Sequence, residues 1–431
     1  MSLLSDTITI VLAGGAGSRL APLTTDRAKP AVPFGGQYRI IDFTLSNCLN
    51  SGLRQILVLT QYKSHSLHRH LHDAWEILNP ELGEYITSVP PQLRTGGSWY
   101  QGTADAIYQN LCLLQSSGAE DVLILAGDHV YQMDYAQLLR RHRHSAADVT
   151  VACTEVSLQE ARSFGVMSID EQQRIRRFDE KPANPNGIPD SPDKALASMG
   201  IYVFSLDVLC RELQLDSQDP ASSHDFGKDV LPNMVRTHRV SAFRYRAPDE
   251  SMTAYWRDVG TIDTYYQANM DLLEDSPPLD LYSNAWPIRK YERPAPPARV
   301  QRDRFGVNGT ITESMLSNGV MISGGAVSHS ALSPNVHVDS AAVVEDSILF
   351  DDVHIGPGAR VRNCIIDKGV SVPAGETIGI DAAADRKRFT LSKNGVIVVP
   401  RKYRFQPRVP HLTHQLTPPE MIRQRSLTET F

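Results

Sequence analysis

The stretch Leu12-Ala13-Gly14-Gly15-Ala16-Gly17-Ser18-Arg19-Leu20 closes an apolar, β-branched run that starts at Thr7, and Lys29-Pro30 follows shortly after. The run reads as a buried strand. Its three glycines put a tight turn at the carboxyl end, where open α/β sheets bind ligands. Glycine lets the main chain approach a phosphate without a Cβ in the way, and its N–H groups point at the anion. Arg19 and Lys29 add full positive charge. A dinucleotide fingerprint would need Gly where Leu20 stands, and a P-loop would need Gly-Lys-Ser/Thr after four spacers. A Gly-Gly-x-Gly turn also serves as a plain strand-to-helix connection. The nearby Arg and Lys favour an anion site.

From this turn to about Asp275, apolar strands alternate with amphipathic segments, the pattern of a mostly parallel sheet covered by helices. Strands are predicted at Ile8 to Ala13, Gln55 to Thr60, Asp121 to Ala126, Asp148 to Thr154, Ile201 to Phe204 and Val240 to Tyr245. Helices are predicted at Ala104 to Gln115 and Tyr135 to His144. Between 276 and 298 proline accumulates, with Pro277-Pro278 and Pro294-Ala295-Pro296-Pro297, as in an extended surface linker. The expected organisation is a catalytic domain over 1–275, this linker, a second domain over 299–400 and a basic tail over 401–431.

In the second domain helical periodicity is lost. Apolar residues recur every sixth position at Val320, Ala326, Leu332 and Val338, then Val343, Leu349, Ile355 and Val361, then Ile366, Val372 and Ile378. A sustained sixfold spacing predicts a parallel β-helix with one apolar side chain inward per face, and loops absorbing the one-residue slips. A run of hairpins is the plainer alternative. The open ends of such a coil tend to be capped or to pair with another copy. The tail carries Arg401, Lys402, Arg404, Arg408, Arg423 and Arg425 against Glu420 and Glu429, a solvated terminus or a second anion site.

With 431 residues, 41% hydrophobic and 21% charged, the chain is ordinary globular material. No apolar run reaches the roughly 18 residues of a membrane span, and no basic region precedes the first apolar run, so the expected location is the cytoplasm. Five scattered cysteines make neither a disulfide framework nor a zinc knuckle. A net charge of -6 gives no overall attraction for nucleic acid.

Asp128 follows Val122 to Ala126 across Gly127, so its carboxylate is expected at a strand end near the glycine turn. Asp258, in Tyr255-Trp256-Arg257-Asp258-Val259-Gly260, is its best partner for Mg²⁺, which takes a few carboxylates plus phosphate oxygens. A lone strand-end Asp is also a common turn residue. Lys181 in Glu180-Lys181-Pro182 offers a point charge for a phosphate. Trp99-Tyr100-Gln101-Gly102-Thr103-Ala104-Asp105 offers aromatic faces and hydroxyls at a helix start, with Thr103 a possible N-cap. His65, His68, His70 and His72 have no carboxylate or cysteine at ligand spacing, and a surface helix explains them better than a metal does. No Gly-x-Ser-x-Gly elbow supports a serine hydrolase.

Together, in this order, these segments resemble bacterial glucose-1-phosphate adenylyltransferases, over nearly the whole chain. The resemblance rests on the glycine turn through Arg27-Ala28-Lys29-Pro30-Ala31-Val32, on the Trp99, Asp128, Glu180 and Asp258 segments above, and on Phe164-Gly165-Val166-Met167, Ser198-Met199-Gly200-Ile201-Tyr202 and Ser223-His224-Asp225-Phe226-Gly227. It implies a Rossmann-like nucleotidyltransferase domain followed by a left-handed parallel β-helix, a homotetramer, and ADP-glucose synthesis for glycogen. It also implies ATP at Leu12, Ala13, Gly14, Gly15, Gly17, Gln61, Trp99, Gly102 and Thr103, with Arg19, Lys29, Asp128 and Asp258 catalytic and the two aspartates holding Mg²⁺. Glucose 1-phosphate falls to Tyr100, Gly165, Glu180, Lys181, Ser198, Tyr202 and Asp225. Gln61 and Trp99 match positions that couple activator binding to the active site. Arg27, Arg39, Lys368 and Arg401 match positions for phosphorylated effectors. Three effector positions depart from the fructose 1,6-bisphosphate-activated pattern: Asp26, Pro33 and Ser116 stand for lysine, histidine and arginine. Competing readings are a uridylyl- or guanylyltransferase, a β-helix acyltransferase joined to one, and a catalytically silent regulatory subunit.

Overall fold

The structure is a computed structural model, and it describes residues 3–15, 17–92, 99–189, 191–246 and 254–406. Ala16 of the glycine turn and the predicted tail cations Arg408, Arg423 and Arg425 lie outside the described residues.

Nine strands form the main sheet: β1 (Thr7–Ala13), β2 (Gln55–Thr60), β3 (Tyr85–Val89), β4 (Asp121–Ala126), β5 (Val149–Ser157), β6 (Gly165–Ile169), β7 (Ile175–Glu180), β8 (Lys194–Ser205) and β9 (Val240–Arg244). Their order is β7-β6-β8-β4-β1-β2-β3, with β5 pairing both β8 and β9. Around β1 the pairing is parallel, Val11 lying between Val58 and Leu125. β2 and β3 are also parallel, as are β5 and β9, but the rest is not, so the expected mostly parallel sheet is a mixed one. β8 runs antiparallel to β4, β5 and β6, and β6 and β7 form an antiparallel pair because the short connection Asp170–Arg174 returns the chain at once. Strands β1 and β4, buried on both faces, separate two apolar layers, one around Ile8, Ile107 and Phe204 and the other around Val58, Trp75 and Tyr135.

The helix predicted over Ala104 to Gln115 is two short ones, Thr103–Tyr108 and Leu111–Gln115. Asn110 breaks it: its side-chain amide donates back to the Ala106 carbonyl and to the Tyr100 hydroxyl. The helix at Tyr135–Ser145 and the histidine-bearing helix at His65–Trp75 form as whole units. That second helix is not purely a surface one, since Leu67, His70 and Leu71 are buried.

Residues 274–298 contain no helix or strand, yet they are pinned down. Trp286 Nε1 donates to Asn47 Oδ1 at 2.8 Å and the Arg289 N–H to Ser46 Oγ at 2.8 Å, while Leu279 and Ile288 are buried. Beyond them the chain winds into parallel coils. Val338, Ile355 and Val372 stack at seventeen-residue intervals, as do Val344, Val361 and Ile378. Two of the predicted inward positions shift by one residue: Val327 and Val344 are buried, while Ala326 and Val343 are half-buried. Val320 is inward but stacks at the level of Val336, and the residue stacked on Val338 is Ile322, two positions on, while Leu332 stacks on Leu349 as expected. The five-residue step sits at one corner, where His329, Asp346 and Asn363 take positive φ of 43°, 47° and 50° and turn a strand without a loop.

The two halves share a core. Leu23, Phe34 and Tyr265 pack with Ile348, Phe350, Ile365 and Val398. Within it Arg27 Nη2 donates to both carboxylate oxygens of Asp367, at 2.7 and 2.9 Å, with both side chains almost fully buried.

Candidate active site

Strands β1, β2 and β4 end side by side, so Gly14, Gln61 and Asp128 meet at one rim. A cavity of about 1100 Å³ opens there. The glycines are there for different reasons. A Cβ on Gly14 would stand 3.0 Å from the Gln61 Cβ, Gly17 takes φ +59°, and beside Gly15 there is open space facing the cavity. Thr24 Oγ1 fastens the turn by donating to the Gly17 carbonyl at 2.8 Å. Leu12, Ala13, Gly14, Gly15, Gly17, Arg19, Lys29, Gln61, Trp99, Gly102 and Thr103 all line the cavity.

Asp258 is far away in sequence and is delivered by a two-stranded ribbon, Trp256–Asp258 against His129–Tyr131, which sets Asp258 opposite His129. Lys29 Nζ then bridges the carboxylates, 2.9 Å from Asp128 Oδ2 and 2.8 Å from Asp258 Oδ1. Burial works against the Lys29 charge, but the two carboxylates outweigh it and hold its pKa above the ordinary lysine value. Asp128 shows the converse: burial pushes its pKa up, yet Lys29 and His129 bring it down to about 2. Asp128 is thus held ionised. Asp128, His129 and Asp258 are the one group of carboxylate and imidazole atoms close enough to share an ion among the described residues. Hard oxygen donors beside a phosphate-sized cradle fit a divalent cation. Gly260 completes this corner, since a Cβ there would stand 3.0 Å from the Asp258 carboxylate oxygens and 3.2 Å from Arg19 Nη2.

The opposite wall is built by β7, β8 and the turn after 222. Tyr100, Glu180, Tyr202 and Asp225 line it. Asp225 caps a single π-turn, accepting from the N–H groups of Gly227 and Lys228, and also accepts from Thr103 Oγ1 at 3.2 Å. Thr103 is therefore not the N-cap; Gly102 is, with no side-chain bond. Glycine at 102 is required by space, because a Cβ would fall 2.1 Å from the His224 carbonyl oxygen. Ser198 lies beside Tyr202, their hydroxyls 3.5 Å apart, and Gly165 abuts Phe178 and Glu180 without lining the cavity. Lys181 does not line it either. It is half-exposed and paired with Glu180 at 2.8 Å. Tyr62, Phe226, Gly227 and Gly260 line the cavity but carried no assigned role. The signal for Tyr62, an aromatic directly after a strand-end Gln, was on the page.

Of the four effector positions, Arg39 and Lys368 share a cavity, and the Arg27 charge acts on both. Arg39 and Lys368 line a small cavity of about 70 Å³ with Arg69 and Arg293. Arg27 points elsewhere, consumed by Asp367, and Arg401 is exposed outside that cavity. Asp26 sits 3.5 Å from Lys402. The histidines of 65–72 make no metal group: His70 donates to the buried Asp42 at 2.5 Å and His68 pairs with Thr60.

A nucleotide-sized cradle, paired carboxylates and an attached parallel β-helix define a class, and sequence comparison agrees with it. A nucleotidyl transferase family model matches residues 8–275, and a GlmU-like C-terminal hexapeptide model matches residues 296–399, consistent with the left-handed coil expected. Glucose-1-phosphate adenylyltransferase 2 of Vibrio cholerae is 55% identical over 404 residues, 93% of this chain and 99% of that protein. Glucose-1-phosphate adenylyltransferase 2 of Vibrio vulnificus is 57% identical over 404 residues, 93% and 100% of the two chains. The glucose-1-phosphate adenylyltransferase of Methylococcus capsulatus is 50% identical over 393 residues, 91% and 93%. The chain belongs to the glucose-1-phosphate adenylyltransferase family.

Proposed function

We propose that the chain transfers the adenylyl group of ATP to α-D-glucose 1-phosphate, forming ADP-glucose and pyrophosphate. One observation carries this reading: a single cavity of about 1100 Å³ has the glycine turn, Lys29 and Asp128 along one wall and Glu180, Tyr202 and Asp225 along the other, room for two phosphate-bearing substrates. The main chain of Leu12, Ala13, Gly14, Gly15 and Gly17 and the surface of Gln61, Trp99, Gly102 and Thr103 take ATP. Arg19 and Lys29 offset charge on its phosphates. Tyr100, Gly165, Glu180, Ser198, Tyr202 and Asp225 shape the sugar side, and Lys181 turns from Glu180 to the sugar phosphate.

An oxygen of glucose 1-phosphate attacks the α-phosphorus of ATP; the new P–O bond forms as the bond to the bridging oxygen breaks, and pyrophosphate leaves in line. Alignment and charge neutralisation do the work, and no covalent nucleophile is required. Asp128 and Asp258 would hold Mg²⁺, which when bound withdraws charge from phosphate oxygens.

We read Arg39 and Lys368, with the neighbouring Arg27 and Arg401, as the region answering to phosphorylated effectors, and Gln61 and Trp99 as its link to the cavity. Asp26 and the Arg27–Asp367 pair make a weak response to fructose 1,6-bisphosphate the expected behaviour. A catalytic unit over 1–275 joined by 276–298 to a β-helix over 299–400, a homotetramer, a cytoplasmic location and a place in glycogen synthesis belong to the same reading. No helix among the described residues is long and apolar enough to cross a membrane.

Pyrophosphate release measured for ATP, UTP and GTP against glucose 1-phosphate and glucosamine 1-phosphate tests the assignment. ATP with glucose 1-phosphate should exceed every other pair by at least about tenfold. Preference for another nucleotide would make it a different nucleotidyltransferase, and no turnover with any pair would mark a regulatory subunit.

A further inference from the structure

The imidazole of His129 is an anomaly. Its side chain is 13% exposed, and among the described residues neither ring nitrogen makes a hydrogen bond. Nδ1 is buried with no partner, and Nε2, free of hydrogen bonds, is turned toward the two site carboxylates. Packing sets its direction: the ring meets Trp256 edge-on at 4.9 Å, and Trp256 is in turn backed by Phe164 at 5.1 Å. So held, Nε2 faces Asp128 Oδ1 at 3.7 Å and Asp258 Oδ1 at 3.9 Å, too far for hydrogen bonds to either. Around an octahedral ion with ligands near 2.1 Å, neighbouring donor atoms lie about 3.0 Å apart and opposite ones about 4.2 Å. Both His129 distances exceed the neighbouring-donor spacing by less than about 1 Å, so a small closing shift as an ion enters brings Nε2 into range.

We propose that His129 Nε2 is a third protein ligand to the divalent cation at Asp128 and Asp258, and that the site therefore favours Mn²⁺ and Co²⁺ over Mg²⁺. The proposal rests on the reading of the two aspartates as cation ligands. Imidazole nitrogen suits first-row transition ions, whereas Mg²⁺ prefers oxygen donors and keeps its waters. A nitrogen donor thus raises affinity for the former and does little for the latter. ATP binding has to draw Lys29 Nζ off the carboxylates for the ion to enter, so cation and nucleotide should bind together.

The test uses the full chain with ¹⁵N-labelled histidine, Mn²⁺ and ATP, read by pulsed EPR, which separates protein nitrogen from adenine nitrogen. Wild type should show ¹⁵N coupling to bound Mn²⁺, and His129→Asn and His129→Phe should lose it. In equilibrium titrations the substitutions should weaken Mn²⁺ by at least about tenfold while changing Mg²⁺ by less than about threefold. Bound Mn²⁺ without histidine coupling in wild type, or equal weakening of both ions, would overturn the third ligand while leaving the adenylyl-transfer reading intact. Failure of Mn²⁺ to bind wild type even with ATP would overturn the cation site itself. The wild-type spectrum decides the matter even if both variants fold poorly.

Discussion

At the scale of single residues, charge accounts for most of the site. Asp128 is kept ionised by Lys29 and His129, so an amide in its place preserves shape and removes only the charge. Asp128→Asn should leave the melting behaviour close to wild type and lower turnover by at least about a hundredfold, because charge developing at the α-phosphate loses its counterweight. Steady-state rates within about threefold of wild type would remove Asp128 from the mechanism. Lys181 poses a different problem, since it lies outside the cavity in an ion pair with Glu180. Exposed pairs contribute only about 0–1 kcal/mol, so little opposes its swing to a sugar phosphate. Lys181→Ala should raise the half-saturating glucose 1-phosphate concentration about 10- to 150-fold, the cost of a lost charge-assisted bond, with a far smaller effect on ATP. Equal shifts for both substrates would give Lys181 a structural role.

Elements bring these residues into range. The ends of β1 and β4 were readable, because apolar runs that stop at glycine, or at glycine then aspartate, mark both a strand and its ligand-facing end. The ribbon pairing Trp256–Asp258 with His129–Tyr131 was not readable, because three-residue strands carry no period; Asp258 was picked out as a partner carboxylate and by resemblance, not by a legible strand. The turn carrying Asp225 is packed just as tightly. Gly102 is extended, so its need for glycine comes from the His224 carbonyl against it and not from strain. Gly102→Ala should force the 222–225 turn away, loosen the Thr103–Asp225 contact and destabilise the fold by about 1–3 kcal/mol. Thermal melting together with the Michaelis constants checks this: an unchanged constant for glucose 1-phosphate would show that the turn does not form the sugar wall.

Over the whole molecule the two halves behave as one packed body, with Phe34 and Tyr265 of one lying in a common core with Phe350 and Val398 of the other. A single cooperative unfolding transition is expected by calorimetry; two resolved transitions would show the shared core to be weak. Arg27 and Asp367 span the same boundary. Removing one partner of such a buried pair strands the other charge and costs about 3–5 kcal/mol, whereas replacing both is far milder. Arg27→Met should therefore melt well below wild type, and Arg27→Met with Asp367→Leu should recover much of the loss. If the double variant is as unstable as the sum of the singles, the pair is not the coupled unit its geometry indicates.

From sequence alone came the glycine turn at a strand end and the sixfold repeat, because each is written in residues adjacent or regularly spaced along the chain. Tertiary structure alone decided which carboxylate meets which cation. Lys29 and Asp128 come together across 99 residues, and Arg27 and Asp367 across 340. Sequence supplied the charges of these groups, but only folding set the distances between them, and at short range those distances put Arg27, an effector position by resemblance, in a buried ion pair between the two halves.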